Sequence, residues 1–216
     1  MIKLTLRPFV CLCFVAVFAF VWGDKPITGS FIDTRDGQTY RYIKIGEQIW
    51  MGENLNYAAN GWPCDCCKGV TGSWCYADNS SNCQTYGRLY TWEAAKSACP
   101  TGWRLPTHDE WENLITAVGG RLVAGRALKA IAPDWDGEDA FGFSALPGGY
   151  RSTNSVLQFD DIGSSGRWWT ATECKNCEKR YISAHRWRMW SGSMRAFERR
   201  NEHHRYGLSV RCVKEL

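Results

Sequence analysis

Three groups of residues have types and spacing suited to chemistry. The first is cysteine. Cys174-Lys175-Asn176-Cys177 has the two-residue spacing of redox and zinc sites, and Cys64-Asp65-Cys66-Cys67 supplies further thiols. Thiolates in such numbers suit Zn2+. The competing reading is two disulfides that tie the loop near 65 to the loop near 175, with one cysteine spare. It is preferred, because no βαβ pattern flanks the CxxC as a thioredoxin-type site requires. The second group is Asp134, Asp136, Glu138 and Asp139. Hard oxygen ligands in an irregular run suit Ca2+. An EF-hand register needs Gly at its sixth position, where Asp139 stands, and the lectin triplets Glu-Pro-Asn and Gln-Pro-Asp are absent. Solvated loop charge is therefore preferred, with calcium as the alternative.

The third group lies in the basic, aromatic C-terminal third. Arg186, Trp187, Arg188 and Trp190 sit among further arginines and tyrosines. Indole faces stack on sugar rings, and guanidinium forks match carboxylates or sulfates. The competing reading buries the aromatics and leaves the arginines to cover the outside. Alternation along a strand places Arg186 and Arg188 on one face, and Trp187 with His185 and Met189 on the other. A bend near Ser191-Gly192 then brings Trp190 to the arginines. Catalytic motifs are missing: there is no Gly-x-Ser-x-Gly, His-Glu-x-x-His or phosphate loop. His203-His204 reads as a turn. No catalytic residue is assigned.

These groups sit in a chain of 216 residues with 12 Trp and 11 Cys. Its 44% hydrophobic and 22% charged residues are ordinary globular usage, which excludes wholesale disorder, collagen and coiled coil. Lys3 and Arg7 precede an uncharged apolar run from Phe9 to Trp22, and Val21 and Gly23 suit the −3 and −1 positions of a signal-peptidase site. That run is shorter than the roughly 20 residues a spanning helix needs. Residues 1–23 therefore read as a signal peptide and 24–216 as the mature chain, secreted, periplasmic or at the cell surface, without a membrane span after cleavage. Cleavage lowers the 26 basic residues to 24 against 22 acidic ones, a net charge of +2. So small an excess, in an exported chain, argues against nucleic acid as a partner. Nine cysteines remain, and in an exported protein they read as disulfides, with the odd one unpaired within the chain.

Thr39–Ile45 alternates with period two, and Gly46-Glu47 turns it into Gln48–Met51, a β-hairpin. Residues 58–85 lack apolar periodicity and read as an irregular, disulfide-stapled loop. Thr91 caps a helix over Trp92–Ala98. Thr107 and Glu110 form a capping box for a second helix carrying Trp111, Leu114, Ile115 and Val118. A shorter helical stretch runs from Val123 to Ile131. Strand-like runs follow at Arg167–Ala171, Arg180–Trp187, Ser193–Phe197 and Gly207–Val213. Helices early and antiparallel strands late give an α+β class in one domain.

Four stretches carry a family resemblance: Trp50–Tyr57 (WMGENLNY), Tyr86–Trp92 with Cys99–Thr107 (YGRLYTW and CPTGWRLPT), Gly142–Arg151 (GFSALPGGYR) and Tyr206–Cys212 (YGLSVRC). In order and spacing they resemble the Fibrobacter succinogenes major paralogous domain, over about residues 31–214. That family is secreted or surface-borne and of unknown molecular function. It is in turn similar to the C-type-lectin-like fold shared with formylglycine-generating enzymes. The resemblance implies a single lectin-like α+β domain with two main helices, an antiparallel sheet, chain ends meeting in one sheet, and long irregular disulfide-tied loops. It implies a Cys99–Cys212 bridge, because the last strand returns beside the helical region, and a local Cys75–Cys83 bridge. The formylglycine-generating relatives carry a reactive cysteine pair before the last strand, whereas no cysteine lies between Cys177 and Cys212.

The expected function is a binding or adhesion module for a glycan or another surface protein. A degenerate enzyme of the formylglycine-generating fold is the alternative, and a protein scaffold a third reading. N-terminal sequencing of the exported protein is expected to begin at Asp24 or a near neighbour. An intact Met1 on cell-associated protein would overturn the cleavage.

Overall fold

The computed structural model describes residues 27–59, 72–132, 135–153, 158–175, 177 and 182–215. The signal segment, Cys64, Cys66, Cys67 and Asp134 lie outside these residues. In chain order the elements are β1 (Thr28–Ile32), β2 (Thr39–Ile45), β3 (Gln48–Met51), β4 (Ser73–Trp74), α1 (Ser80–Tyr86), β5 (Leu89–Tyr90), α2 (Trp92–Ala98), β6 (Trp103–Arg104), α3 (His108–Ala117) and α4 (Ala124–Leu128). Strands then dominate: β7 (Ile131–Ala132), β8 (Trp135–Asp136), β9 (Gly148–Arg151), β10 (Phe159–Ile162), β11 (Ser165–Glu173), β12 (Ser183–Trp190), β13 (Phe197–His203), β14 (Leu208–Ser209) and β15 (Val213–Lys214). The class is α+β. One sheet has the order β1-β2-β3-β15-β6, so the first and last strands of the fold share it. The other is mixed. β11, β12 and β13 form an antiparallel meander, while β9 and β14 run parallel to β11. Among the described residues no helix is long and apolar enough to cross a membrane.

Local chemistry accounts for most of the elements. Thr91 accepts from the Ala94 N–H at the start of α2. Thr107 accepts from the Glu110 N–H, and the Glu110 carboxylate takes the Thr107 N–H in return, which closes the capping box of α3. The loop expected over 58–85 contains a helix instead. Residues 79–86 (NSSNCQTY) lack an apolar stripe, and Cys83 alone is buried in α1. That helix is held by its Asn79 cap and by the Cys75–Cys83 disulfide. The run expected over Ser193–Phe197 is mostly turn and loop, and the strand begins at its last residue.

Around β11 the mixed sheet is buried on both faces. Trp168 and Trp169 are adjacent on β11, so their side chains leave opposite faces. Trp168 joins a core with Trp50, Trp111, Trp187 and Phe143, and Trp169 joins another with Tyr90, Trp92 and Leu208. Both indole N–H groups are paired: Trp168 donates to Asn54 Oδ1 at 2.8 Å and Trp169 to the Tyr90 carbonyl at 2.7 Å.

Arg211 is fully buried. Its guanidinium donates to Asn54 Oδ1 from Nε (3.2 Å) and Nη2 (2.9 Å), and to the carbonyls of Met51, Phe143 and Ser144. It lies 4.4 Å over the Phe143 ring. Burial pulls its pKa down, and the acceptors that hold the charge are dipoles. Arg211→Lys keeps the charge and loses the fork. It is expected to lower unfolding free energy by about 3 kcal/mol, because buried acceptors and an under-bonded ammonium remain. A urea titration giving a loss below about 1 kcal/mol would show that the network does not set stability.

Candidate functional site

β12 divides the molecule's chemistry between its two faces. Its odd-numbered residues His185, Trp187 and Met189 face the core beneath α3, with Trp187 and Met189 fully buried. Its even-numbered residues Arg186, Arg188 and Trp190 lie on the other side. Trp190 keeps this register to the end of the strand, and the Arg188 guanidinium sits 5.0 Å from its ring centroid. The expected bend is not needed to bring them together. Gly192, at φ +74°, turns the chain only after the strand has ended.

The strand pairing sets like charges opposite one another. Arg188 pairs with Arg167 of β11, and Arg186 pairs with Arg199 of β13. Like charges directly opposite on one face destabilise a sheet. Two carboxylates offset them. Asp161 Oδ2 accepts from Arg167 at 2.5 Å and from Arg188 at 3.1 Å. Glu202 accepts from Arg186 Nε and lies 4.0 Å from Arg199. Burial pulls the Arg186 pKa to about 10 against the opposing pull of Glu202, and Arg167 adds to the fall. Arg188 is lowered by burial first and by Arg167 second.

Aromatic rings flank these arginines at both ends. Trp190 stacks on Phe197 with centroids 4.0 Å apart. At the other end the Arg167 guanidinium lies 3.6 Å from the centre of the Tyr150 ring, and Tyr150, Tyr206 and His203 stack in series. All five rings are half-buried. The surface is a cationic strip bounded by π faces.

The residues singled out from sequence separate accordingly. Arg188 and Trp190 reach the surface. Arg186 is 5% exposed and committed to Glu202. Trp187 presents no face to a ligand: it is 0% exposed and packs against Trp111 and His108. Period-two alternation assigned it correctly to the face opposite the arginines, and that face is core.

The other two groups are also placed. Asp136 pairs with the buried Lys129, Glu138 with Arg126 at 2.6 Å, and Asp139 accepts from the Ser144 N–H and hydroxyl, both at 2.7 Å. These three acidic side chains therefore each have a partner of their own, and Asp139 serves to hold the loop that supplies Arg211 with carbonyls. Cys99–Cys212 and Cys75–Cys83 are disulfides. Cys174 and Cys177 are bonded to each other rather than to the loop near 65, which corrects the expected cross-tie. A two-residue separation already places their Cα atoms 5.5 Å apart, within disulfide range.

One cluster escaped the sequence reading. His108, His185 and Glu198 come from α3, β12 and β13, and converge beside Trp187. They are 77 and 13 residues apart in sequence, so no local motif could have announced them. The strand pairing of Trp187 with Glu198 is what brings the carboxylate in.

A family model described as the Fibrobacter succinogenes major domain matches residues 43–214. No curated protein and no solved structure matches the chain. Trp187→Ala is expected to reduce unfolding free energy by about 3–5 kcal/mol as a core truncation. Trp190→Ala is expected to lose about 1 kcal/mol, its stacking on Phe197. Denaturant unfolding of the two variants checks the assignment, and equal losses would place both rings in the core.

Proposed function

The chain belongs to the Fibrobacter succinogenes major domain family, and from that footing we propose that it is an exported binding module for glycans bearing carboxylate or sulfate groups. The observation that supports this reading is the pair of like-charge cross-strand contacts, Arg167–Arg188 and Arg186–Arg199, which among the described residues have Asp161 and Glu202 as their ion-pair partners. Among the described residues four guanidiniums meet the two carboxylates that pair with them, and Asp160, opposite Tyr150, is a third acidic group nearby, which leaves one net positive charge on this part of the sheet face. A fold gains nothing from opposing like charges. An anionic ligand would offset them.

The division of labour follows from exposure. Arg199 and Arg188 are the accessible cations, with half and about a third of their side chains exposed. Arg167 and Arg186 lie beneath and raise the local potential. Trp190 with Phe197 at one end, and Tyr150 with Tyr206 at the other, offer stacking faces for sugar rings. Guanidinium forks supply geometry for planar carboxylates and for sulfates. Exposed charge contacts of this kind are screened by salt. Single-site affinity would fall on the order of micromolar to millimolar. Disulfides and an N-terminal export signal fit a surface or extracellular setting.

Titration calorimetry with a polyuronate, a sulfated glycan and a neutral β-glucan tests the reading. Binding is expected for the acidic polymers, weakening as salt rises. Arg188→Ala and Trp190→Ala should each weaken it about tenfold, roughly 1.4 kcal/mol, with thermal midpoints within a few degrees of the parent. Binding of the neutral glucan alone, or acidic binding indifferent to both substitutions, would defeat the proposal.

A further inference from the structure

We propose that His108, His185 and Glu198 hold one divalent transition-metal ion of the borderline class, with Zn2+ the first candidate. This site lies on the core-facing side of β12, opposite the arginine strip, and does not depend on glycan binding.

The geometry carries the proposal. One ligand atom from each of the three residues lies within 4.8 Å of the other two. His108 Nε2 is 3.7 Å and His185 Nδ1 is 3.6 Å from the same oxygen, Glu198 Oε1. Both separations are longer than an N–H···O hydrogen bond. They are close to the roughly 3.4 Å between two ligands of a tetrahedral ion with bonds near 2.0–2.1 Å. Movements of a few tenths of an ångström would bring the two His–Glu198 edges to that length, and the edge between the two imidazole nitrogens, within 4.8 Å, would close by up to about an ångström as the rings turn onto a metal. The three side chains are 15%, 13% and 7% exposed, so the site is shielded without being sealed.

The surrounding residues fix the ligands. The His108 ring lies parallel to Trp187, with an interplanar angle of 9°, and its backbone N–H donates to Thr172 Oγ1. Arg121 donates to Glu198 Oε2 at 3.1 Å, which leaves Oε1 turned toward both imidazoles. Such outer contacts orient metal ligands. Glu112, one turn along α3 from His108, places an oxygen 3.5 Å from His108 Nε2. It also pairs with Arg121. A water, or Glu112 on releasing Arg121, would complete four-coordination.

The ligand set selects the class of ion. Two imidazoles and one carboxylate suit Zn2+, Co2+, Ni2+ or Cu2+, whereas Ca2+ and Mg2+ take oxygen ligands. Three protein ligands with one open position is also the composition of zinc sites that retain a water.

Co2+ titration of the oxidised mature protein tests the site. One equivalent is expected to bind with the visible ligand-field bands of a tetrahedral nitrogen–oxygen set, without a near-ultraviolet thiolate band, and Zn2+ should displace it. His108→Gln, His185→Gln and Glu198→Gln should each weaken binding by at least about a hundredfold. A His203→Gln/His204→Gln double variant should bind as the parent does. Imidazole NMR of the parent gives a reading that needs no variant: of the four histidines, Zn2+ should shift His108, which stacks on Trp187, and His185, which packs against the His108 ring. Absence of stoichiometric binding, a thiolate band, loss of binding in the His203/His204 variant, or shifts confined to that pair would each overturn the assignment.

Discussion

The interior of this protein is arranged around one buried positive charge. A guanidinium removed from water must find acceptors for its donors, because leaving any of them unmade in a low-dielectric interior is expensive. Arg211 finds them on two separate segments: the Met51 carbonyl at the end of β3 with Asn54 just beyond it, and the Phe143 and Ser144 carbonyls ahead of β9. Asn54 is the second half of the device. Its oxygen accepts from Arg211 and from Trp168, and its Nδ2 donates to the Tyr86 carbonyl 32 residues away. The neighbouring Gly87, at φ +75°, has no room for a side chain: a Cβ there would stand 2.8 Å from Asn54 Cβ and from the Leu55 carbonyl oxygen. Cys212, next to Arg211, is bonded to Cys99.

That network explains why the family's motifs take the form they do. WMGENLNY supplies Asn54, YGRLYTW supplies the Tyr86 carbonyl and the glycine that lets the backbone approach, GFSALPGGYR supplies the Phe143 and Ser144 carbonyls, and YGLSVRC supplies Arg211 and Cys212. Each motif is one part of a single hydrogen-bonded junction between the two sheets. The bridge adds a covalent tie across 113 residues, which in the chain-entropy account stabilises by roughly 4–5 kcal/mol. The motifs are therefore instructions for folding.

How far the sequence reveals the structure depends on whether the deciding contact is local. The capping box at Thr107 and Glu110, the hairpin through Gly46-Glu47 and the helix after Thr91 are decided within a few residues, and all are present. α1 was hidden because its stability comes from a cap and a disulfide rather than from an apolar stripe. Trp187 illustrates a different limit. Alternation fixes which residues of β12 share a face, but not which face meets solvent. Here the mixed sheet packs cores on both sides, so a tryptophan on either face can be buried. The His108, His185 and Glu198 cluster is assembled by pairing β12 with β13 under the start of α3, which no window of sequence contains.

The cationic strip and the histidine cluster lie back to back on the same two strands. The Trp187–Glu198 pair sits between Arg186–Arg199 and Arg188–Phe197 in the β12–β13 register. A one-residue slip would turn Glu198 toward the arginine face and carry Arg199 to the core side. The two sites therefore stand or fall with the same register. What holds it is visible: Trp187 is locked into the core against Trp111, Glu202 pairs with Arg186, and Phe197 stacks on Trp190. The opposed arginines push this pairing apart, and the buried tryptophan on the reverse face holds it together. A surface that works against sheet pairing is tolerated because the same strand is anchored from behind, and this arrangement lets a strand present concentrated positive charge without losing its place in the fold.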